Sequence, residues 1–296
     1  MEVLLVGFDS LGVRSMASVI YTDDVSIFID PAVSLAPWRF SLKPHPLEIK
    51  QLEYVASKIY EIAKDVDVIV LTHYHYDHHD PGKHVPVDIY EGKDVIIKDP
   101  RNNINVSQRI RASRFLKLIK NKAKNIAVGD GREFTYGRTR LLLSKPVPHG
   151  IDSRLGYVTE VLIDDGEYKI IHTSDVEGPA TSEAVEFILS NKPDLIIIDG
   201  PPTYLVGHHF TEDIISKSIS NLASVVSALN DVTIILDHHL LRDLNYRDFY
   251  DKVIECSTNT KARIMCAAEF MGMEPMLLEA RRKELYSKNS RSEESE

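Results

Sequence analysis

Cysteine is nearly absent: Cys256 and Cys266 are the two thiols in 296 residues. That excludes a disulfide framework and a Cys-x-x-Cys metal or redox site. Both lie in apolar surroundings and read as core thiols. No apolar run reaches the roughly 20 residues that a bilayer span needs. The opening Met1-Glu2-Val3-Leu4-Leu5-Val6-Gly7 lacks the basic region and cleavage site of a signal peptide and reads as a first strand. The cytosol is therefore the expected compartment, with no membrane partner. Cationic excess is missing too. A net charge of −9 argues against a general nucleic-acid-coating protein. There is no repeat and no long Pro/Gly/Ser linker, so residues 1–280 are expected to form a single domain. The stretch 281–296 is highly charged, poor in apolar residues, and expected to be a frayed tail. The one tryptophan, Trp38, reads as core packing, with the mouth of a pocket as the alternative.

What is present is a run of ligands. His73-Tyr74-His75-Tyr76-Asp77-His78 follows the apolar segment Val66–Thr72, which has the length and composition of a short buried strand. A strand ending in His73, His75, Asp77 and His78 places imidazoles and a carboxylate on one loop at a sheet edge. Those donors suit zinc, iron or manganese. A metal-free histidine-rich loop is the alternative. It is disfavoured because ligand-type residues recur after later strand-like runs: His149 after Thr139–Ser144, Asp175 after Tyr168–Thr173, and His238 after Val232–Leu236. Strands grouped early and again in the middle, each group followed by helices, fit an α/β architecture of two sheets packed face to face with helices outside.

The set resembles the metallo-β-lactamase superfamily, whose hallmark is His-x-His-x-Asp-His followed in order by His, Asp and His. The match runs from Val3 to about Asp243. Within the superfamily, Leu11-Gly12-Val13-Arg14-Ser15-Met16, Ser174-Asp175-Val176-Glu177-Gly178-Pro179 and Asp237-His238-His239-Leu240-Leu241-Arg242-Asp243 look like an archaeal branch of predicted metal-dependent hydrolases. That branch supplies no substrate. The resemblance implies a four-layer αββα sandwich and two divalent metal ions, zinc first, with iron or manganese as alternatives. It implies His73, His75 and His149 on one metal, Asp77, His78 and His238 on the second, and Asp175 bridging. Such pairs share a hydroxide whose parent water has its pKa lowered to around 7. His238 and His239 compete for the last position; the resemblance favours His238. Asp30, in Phe28-Ile29-Asp30-Pro31, matches a superfamily position and reads either as a carboxylate that orients a ligating histidine or as an Asx turn before Pro31.

Two weaker signals concern the substrate. His209, in His209-Phe210-Thr211, looks like the leaving-group proton donor of tRNA 3′-end-processing endonucleases, although the acidic partner of that family is missing. With Asp77 it completes the catalytic candidates; a surface loop beside a helix cap is the other reading. From Lys98 to Lys124 nine cations face one acid, Asp99. Arg101 and Arg109 would bind phosphate if this segment lined the site, and a solvated helix face is the alternative. The expected function is a binuclear metal-dependent hydrolase acting on a phosphoester, in a nucleotide, a small molecule or nucleic acid. A lactone or amide hydrolase, a di-iron oxidoreductase and a non-catalytic metal-binding protein are the alternatives. Nothing in the sequence sets the oligomeric state.

Overall fold

Val68-Ile69-Val70-Leu71 and Leu195-Ile196-Ile197-Ile198 show no polar alternation, a pattern that suits strands covered on both faces. In the computed structural model, which describes residues 1–208, 210–229, 231–258 and 261–293, both segments are strands at the centre of separate sheets. The first sheet has six strands in sequence order: β1 (Glu2–Phe8), β2 (Met16–Tyr21), β3 (Ser26–Ile29), β4 (Val68–Leu71), β5 (Asp94–Ile97) and β6 (Asn125–Val128). β1 to β3 are antiparallel, and β3 to β6 run parallel. Then come β7 (Glu133–Tyr136), β8 (Thr139–Leu143), the short β9 (Val147–Pro148) and β10 (Tyr157–Val158), β11 (Val161–Asp164), β12 (Lys169–His172), β13 (Leu195–Asp199), β14 (Thr233–Asp237) and β15 (Arg263–Met265). The second sheet has seven strands in the order β15-β14-β13-β12-β11-β8-β7, with β9 and β10 paired apart. Its β12 to β15 run parallel.

The helices are α1 (Pro46–Ala63), α2 (Val106–Ile119), α3 (Ser182–Asn191), α4 (Glu212–Ala228), α5 (Tyr246–Glu255), α6 (Ala267–Phe270) and α7 (Arg282–Glu293). In the first sheet, strand periodicity sorts side chains between two cores. Ile27, Ile29, Val68 and Val70 meet Leu141, Leu143, Val161 and Ile163 between the sheets. Phe28, Ile69 and Leu71 point the other way, onto Leu52, Val55 and Ile59 of α1 and Phe115 and Ile119 of α2. The fold is the expected α/β sandwich of the metallo-β-lactamase type. Among the described residues no helix is long and apolar enough to cross a membrane.

Three elements are not evident from local composition. The extended run Gly156–Ile163 breaks at Thr159-Glu160 into β10 and β11. β6 is half-exposed and too short for its apolar Ile126-Ala127-Val128 to stand out beside the basic segment before it. The charged tail is anchored at its root. Arg282 is fully buried, and its guanidinium grips Glu48 (Nε–Oε2 2.8 Å, Nη2–Oε1 2.7 Å) and the carbonyls of Leu42 and Ala36. A buried ion pair between residues this far apart in sequence leaves no trace in local composition.

Glu160 at the break is fully buried, and neither carboxylate oxygen has a partner. Burial pushes its pKa well above the ordinary 4.5. Below the unfolded pKa the group is protonated in both states and costs nothing. As pH rises from there toward the folded pKa, stability falls by up to about 1.4 kcal/mol per pH unit. Glu160→Gln is expected to remove this loss, so variant and wild type should diverge in urea denaturation between pH 4.5 and pH 7. Parallel curves across that range would contradict it.

Candidate metal centre

The site is assembled from the ends of strands. β1 leads to Asp9, β3 to Asp30, β4 to Thr72-His73 and the loop that follows, β9 to His149, β12 to Ser174-Asp175, and β14 to His238-His239. Four of its non-glycine residues have left-handed backbones: Asp30 (φ 51°), Ser174 (57°), Glu177 (49°) and His238 (59°). Each such residue costs roughly 1–3 kcal/mol and persists where surrounding structure fixes it. Here the sharp turn swings each side chain off its strand and back over the sheet edge.

Two groups of donors converge. His73, His75, His149 and Asp175 form one, and Asp77, His78 and His238 the other, each with ligand atoms within 4.8 Å of one another. Asp175 divides its carboxylate between them. Oδ2 lies 3.1 Å from His149 Nε2 and 3.6 Å from His73 Nε2. Oδ1 lies 2.8 Å from His78 Nε2 and 3.4 Å from His238 Nε2. His75 Nδ1 and His149 Nε2 are only 3.0 Å apart.

The far side of each ring is held. His78 Nδ1 donates to Asp30 (2.8 Å), which also accepts from the backbone and hydroxyl of Thr72. His238 Nδ1 donates to Asp9 (2.8 Å), whose other oxygen accepts from Arg242 Nε (2.9 Å). The Thr72 and Ser174 hydroxyls sit 3.2 Å from His73 Nδ1. His149 Nδ1 faces Glu177 Oε1 at 3.5 Å, and Gly150 is required beside it because a Cβ there would collide with that carboxylate. His239 Nδ1 meets Asp199 at 3.0–3.1 Å.

This donor set fits divalent cations. His73 Nε2, His78 Nε2 and Asp175 Oδ1 are buried without hydrogen-bond partners. His78 Nε2 and Asp175 Oδ1, though 2.8 Å apart, are out of line for a hydrogen bond. Imidazoles whose outer nitrogen is fixed by a carboxylate or hydroxyl, with the inner one free, are arranged as metal ligands are. Electrostatics agree. Burial, reinforced by neighbouring imidazoles, holds His73 well below its ordinary pKa, and burial pushes His75 down to about 3. Both are therefore neutral and able to ligate. Burial would depress His78 and His238 likewise, but the carboxylates outweigh it. Asp175 and Asp30 raise His78 well above its ordinary value, and Asp175 and Asp9 push His238 up to about 10. Converging carboxylates thus leave a deficit of positive charge that protons or cations must fill, which couples metal binding to proton release.

His238 belongs to the group with Asp77 and His78; His239 joins only Asp175 and His238. Asp30 is the carboxylate behind His78. The structure does not bring Arg101 and Arg109 to this centre. They line a surface pocket of about 510 Å³ with Pro100, Ser113, Leu116, Lys117 and Lys120, which includes none of the converging donors. Helix phase is the reason: the face of α2 bearing Gln108 and Arg111 packs on the metal loop, and Arg109 lies off that face. Gln108 accepts from Tyr74 N and reaches His75, while Arg111 donates to Tyr74 O and stacks on Tyr76. His209 lies outside the described residues. Asp9, Glu177, Asp199 and Arg242 were not anticipated as parts of the site. His172 donates to Met16 O and accepts from Ser174 N, a satisfied core histidine. Trp38 is 61% exposed, not core.

A sequence profile of the metallo-β-lactamase superfamily matches residues 12–78. A UPF0282 protein of Sulfurisphaera tokodaii is 50% identical over 98% of this chain and 94% of its own. One from Metallosphaera sedula is 46% identical with the same coverage. The solved structure of the metallo-β-lactamase fold protein YhfI from Bacillus subtilis aligns with a TM-score of 0.53 at 15% identity, covering 86% of this chain and 89% of that one. Sequence kinship over nearly the whole length places it: the chain belongs to the UPF0282 family, and its fold is that of the metallo-β-lactamases.

Proposed function

We propose that this protein is a binuclear metal-dependent hydrolase, loaded with zinc in preference to iron or manganese, that cleaves a phosphoester. One observation carries the binuclear reading: Asp175 turns one oxygen toward His73 and His149 and the other toward His78 and His238. A closed structural site would need only one such group. His73, His75 and His149 would hold one ion, Asp77, His78 and His238 the other, with Asp175 shared. When bound, the pair acidifies water to near-neutral pKa and offsets charge developing on the substrate oxygens.

The chain's own residues do the rest. Asp30 and Asp9 fix the tautomers of His78 and His238, so that Nε2 faces the centre. Arg242, 3.9 Å from Asp77 Oδ2, sets a permanent cation beside the second group. Substrate reaches the centre through a cavity of about 830 Å³ that includes His75 and Asp77. Lys83 and Arg111 line it as well. Neither forms an ion pair with a carboxylate among the described residues, so both are free to meet an anionic group. These two take over the role that the sequence suggested for Arg101 and Arg109. A small-molecule phosphoester suits this cavity better than a nucleic acid, given the net charge of −9.

The test is turnover of phosphomonoesters, phosphodiesters, lactones and thioesters by the zinc-loaded protein. Phosphoester cleavage lost on chelation and restored by zinc is expected. Inert phosphoesters beside a hydrolysed lactone would replace this reading with the lactone one.

A further inference from the structure

The cavity at the metal loop is lined by two unlike sets of residues. One set is His75, Asp77, Asp80, Lys83, His84 and Arg111; the other is Val33, Leu35, Pro44, Ile49 and Leu52. In the apolar set Ile49 is 44% exposed. Pro37, also in the lining, precedes the exposed Trp38. Apolar area left open in a cleft beside a charged cluster marks a binding surface.

Several of the other polar groups of the lining are already occupied. Arg14 is held by both oxygens of Glu279 at 2.6 Å. The backbones of Arg14 and Ser34 are bonded to each other. Asp80 accepts from the backbone N–H groups of Gly82, Lys83, His84 and Val85. These groups are not free to recognise the edge of a base or the hydroxyls of a sugar. An aliphatic or aromatic arm, by contrast, would be desolvated along its length.

We propose that the site selects phosphoesters of apolar alcohols. The phosphoryl group lies at the His75–Asp77 end within reach of Lys83 and Arg111, and the apolar arm runs along Val33, Leu35, Ile49 and Leu52. This rests on the hydrolase reading and narrows its substrate to an anionic head with an apolar tail.

Binding of octylphosphonate and methylphosphonate, whose P–C bonds resist hydrolysis, tests this by calorimetry on the zinc-loaded protein. Fluorescence of Trp38, the sole tryptophan, gives a second readout. Each methylene buried is worth up to about fourfold in affinity. Octylphosphonate should therefore bind at least about 100-fold more tightly than methylphosphonate. Ile49→Asp, at an exposed helix position, should cut that ratio at least about tenfold and leave zinc content unchanged. Lys83→Ala with Arg111→Ala should weaken both phosphonates by a similar factor. A ratio near one, or a ratio that Ile49→Asp does not change, overturns the proposal. Full zinc content and phosphoester turnover with a ratio near one would remove only the apolar arm. A high ratio in a protein that holds no second zinc would remove only the binuclear hydrolase.

Discussion

Asp175→Ala is expected to lower phosphoester turnover at least about 1000-fold, the scale on which electrostatic and metal terms act in hydrolysis, while the protein still unfolds cooperatively. Asp175 turns one oxygen toward His73 and His149 and the other toward His78 and His238. Its loss deprives His78 and His238 of the negative charge that raises their pKa. On the proposed binuclear reading, its loss also takes a shared ligand from the two cations. The apolar cores lie between the sheets and under α1 and α2, built from other residues. Folding and function should therefore separate. Steady-state kinetics with a denaturation control decides the matter: a variant keeping a tenth of wild-type kcat/KM would show that Asp175 is not shared between two working ions.

Glu48→Ala is expected to destabilise the fold by about 3–5 kcal/mol, the usual cost of leaving one member of a buried pair uncompensated. Glu48 has two tasks. It accepts from His45 N in the capping box of α1, and it holds Arg282 through both oxygens. Without it the guanidinium keeps the carbonyls of Leu42 and Ala36 but no countercharge. α7 should then come free of the domain. Glu48→Met combined with Arg282→Met should recover part of the loss, because a volume-matched apolar pair removes the stranded charge. Guanidinium denaturation measures both. A cost for Glu48→Ala under about 1 kcal/mol, the level of a surface pair, would mean that the pair does not tie the C-terminus down.

Much of this fold could be read from residues that are close in sequence. Val68–Leu71 and Leu195–Asp199 announce doubly covered strands by unbroken apolar character. His73, His75, Asp77 and His78 announce a metal loop by density alone. What could not be read depends on long-range packing. Asp9 holds His238 across 229 positions, and Arg282 holds Glu48 across 234. Nothing local marks either carboxylate as different from a surface acid. Asp199 and Glu177 follow the same rule, since each matters for the ring it meets rather than for its own neighbours. The basic segment shows a related limit. Arg101 and Arg109 were singled out by charge and Arg111 was not, yet helix phase, set by which face of α2 carries Ala112, Phe115 and Ile119 into the core, puts Arg111 beside the metal loop. Charge density identified the helix, and packing chose the residue.

The most direct test of two shared cations is anomalous diffraction at the zinc edge from crystals of the zinc-loaded protein. Two peaks per chain are expected, one among His73, His75 and His149 and one among Asp77, His78 and His238, with an oxygen of Asp175 on each. A single peak, or a second ion bonded to His239 with His238 turned away, would contradict it.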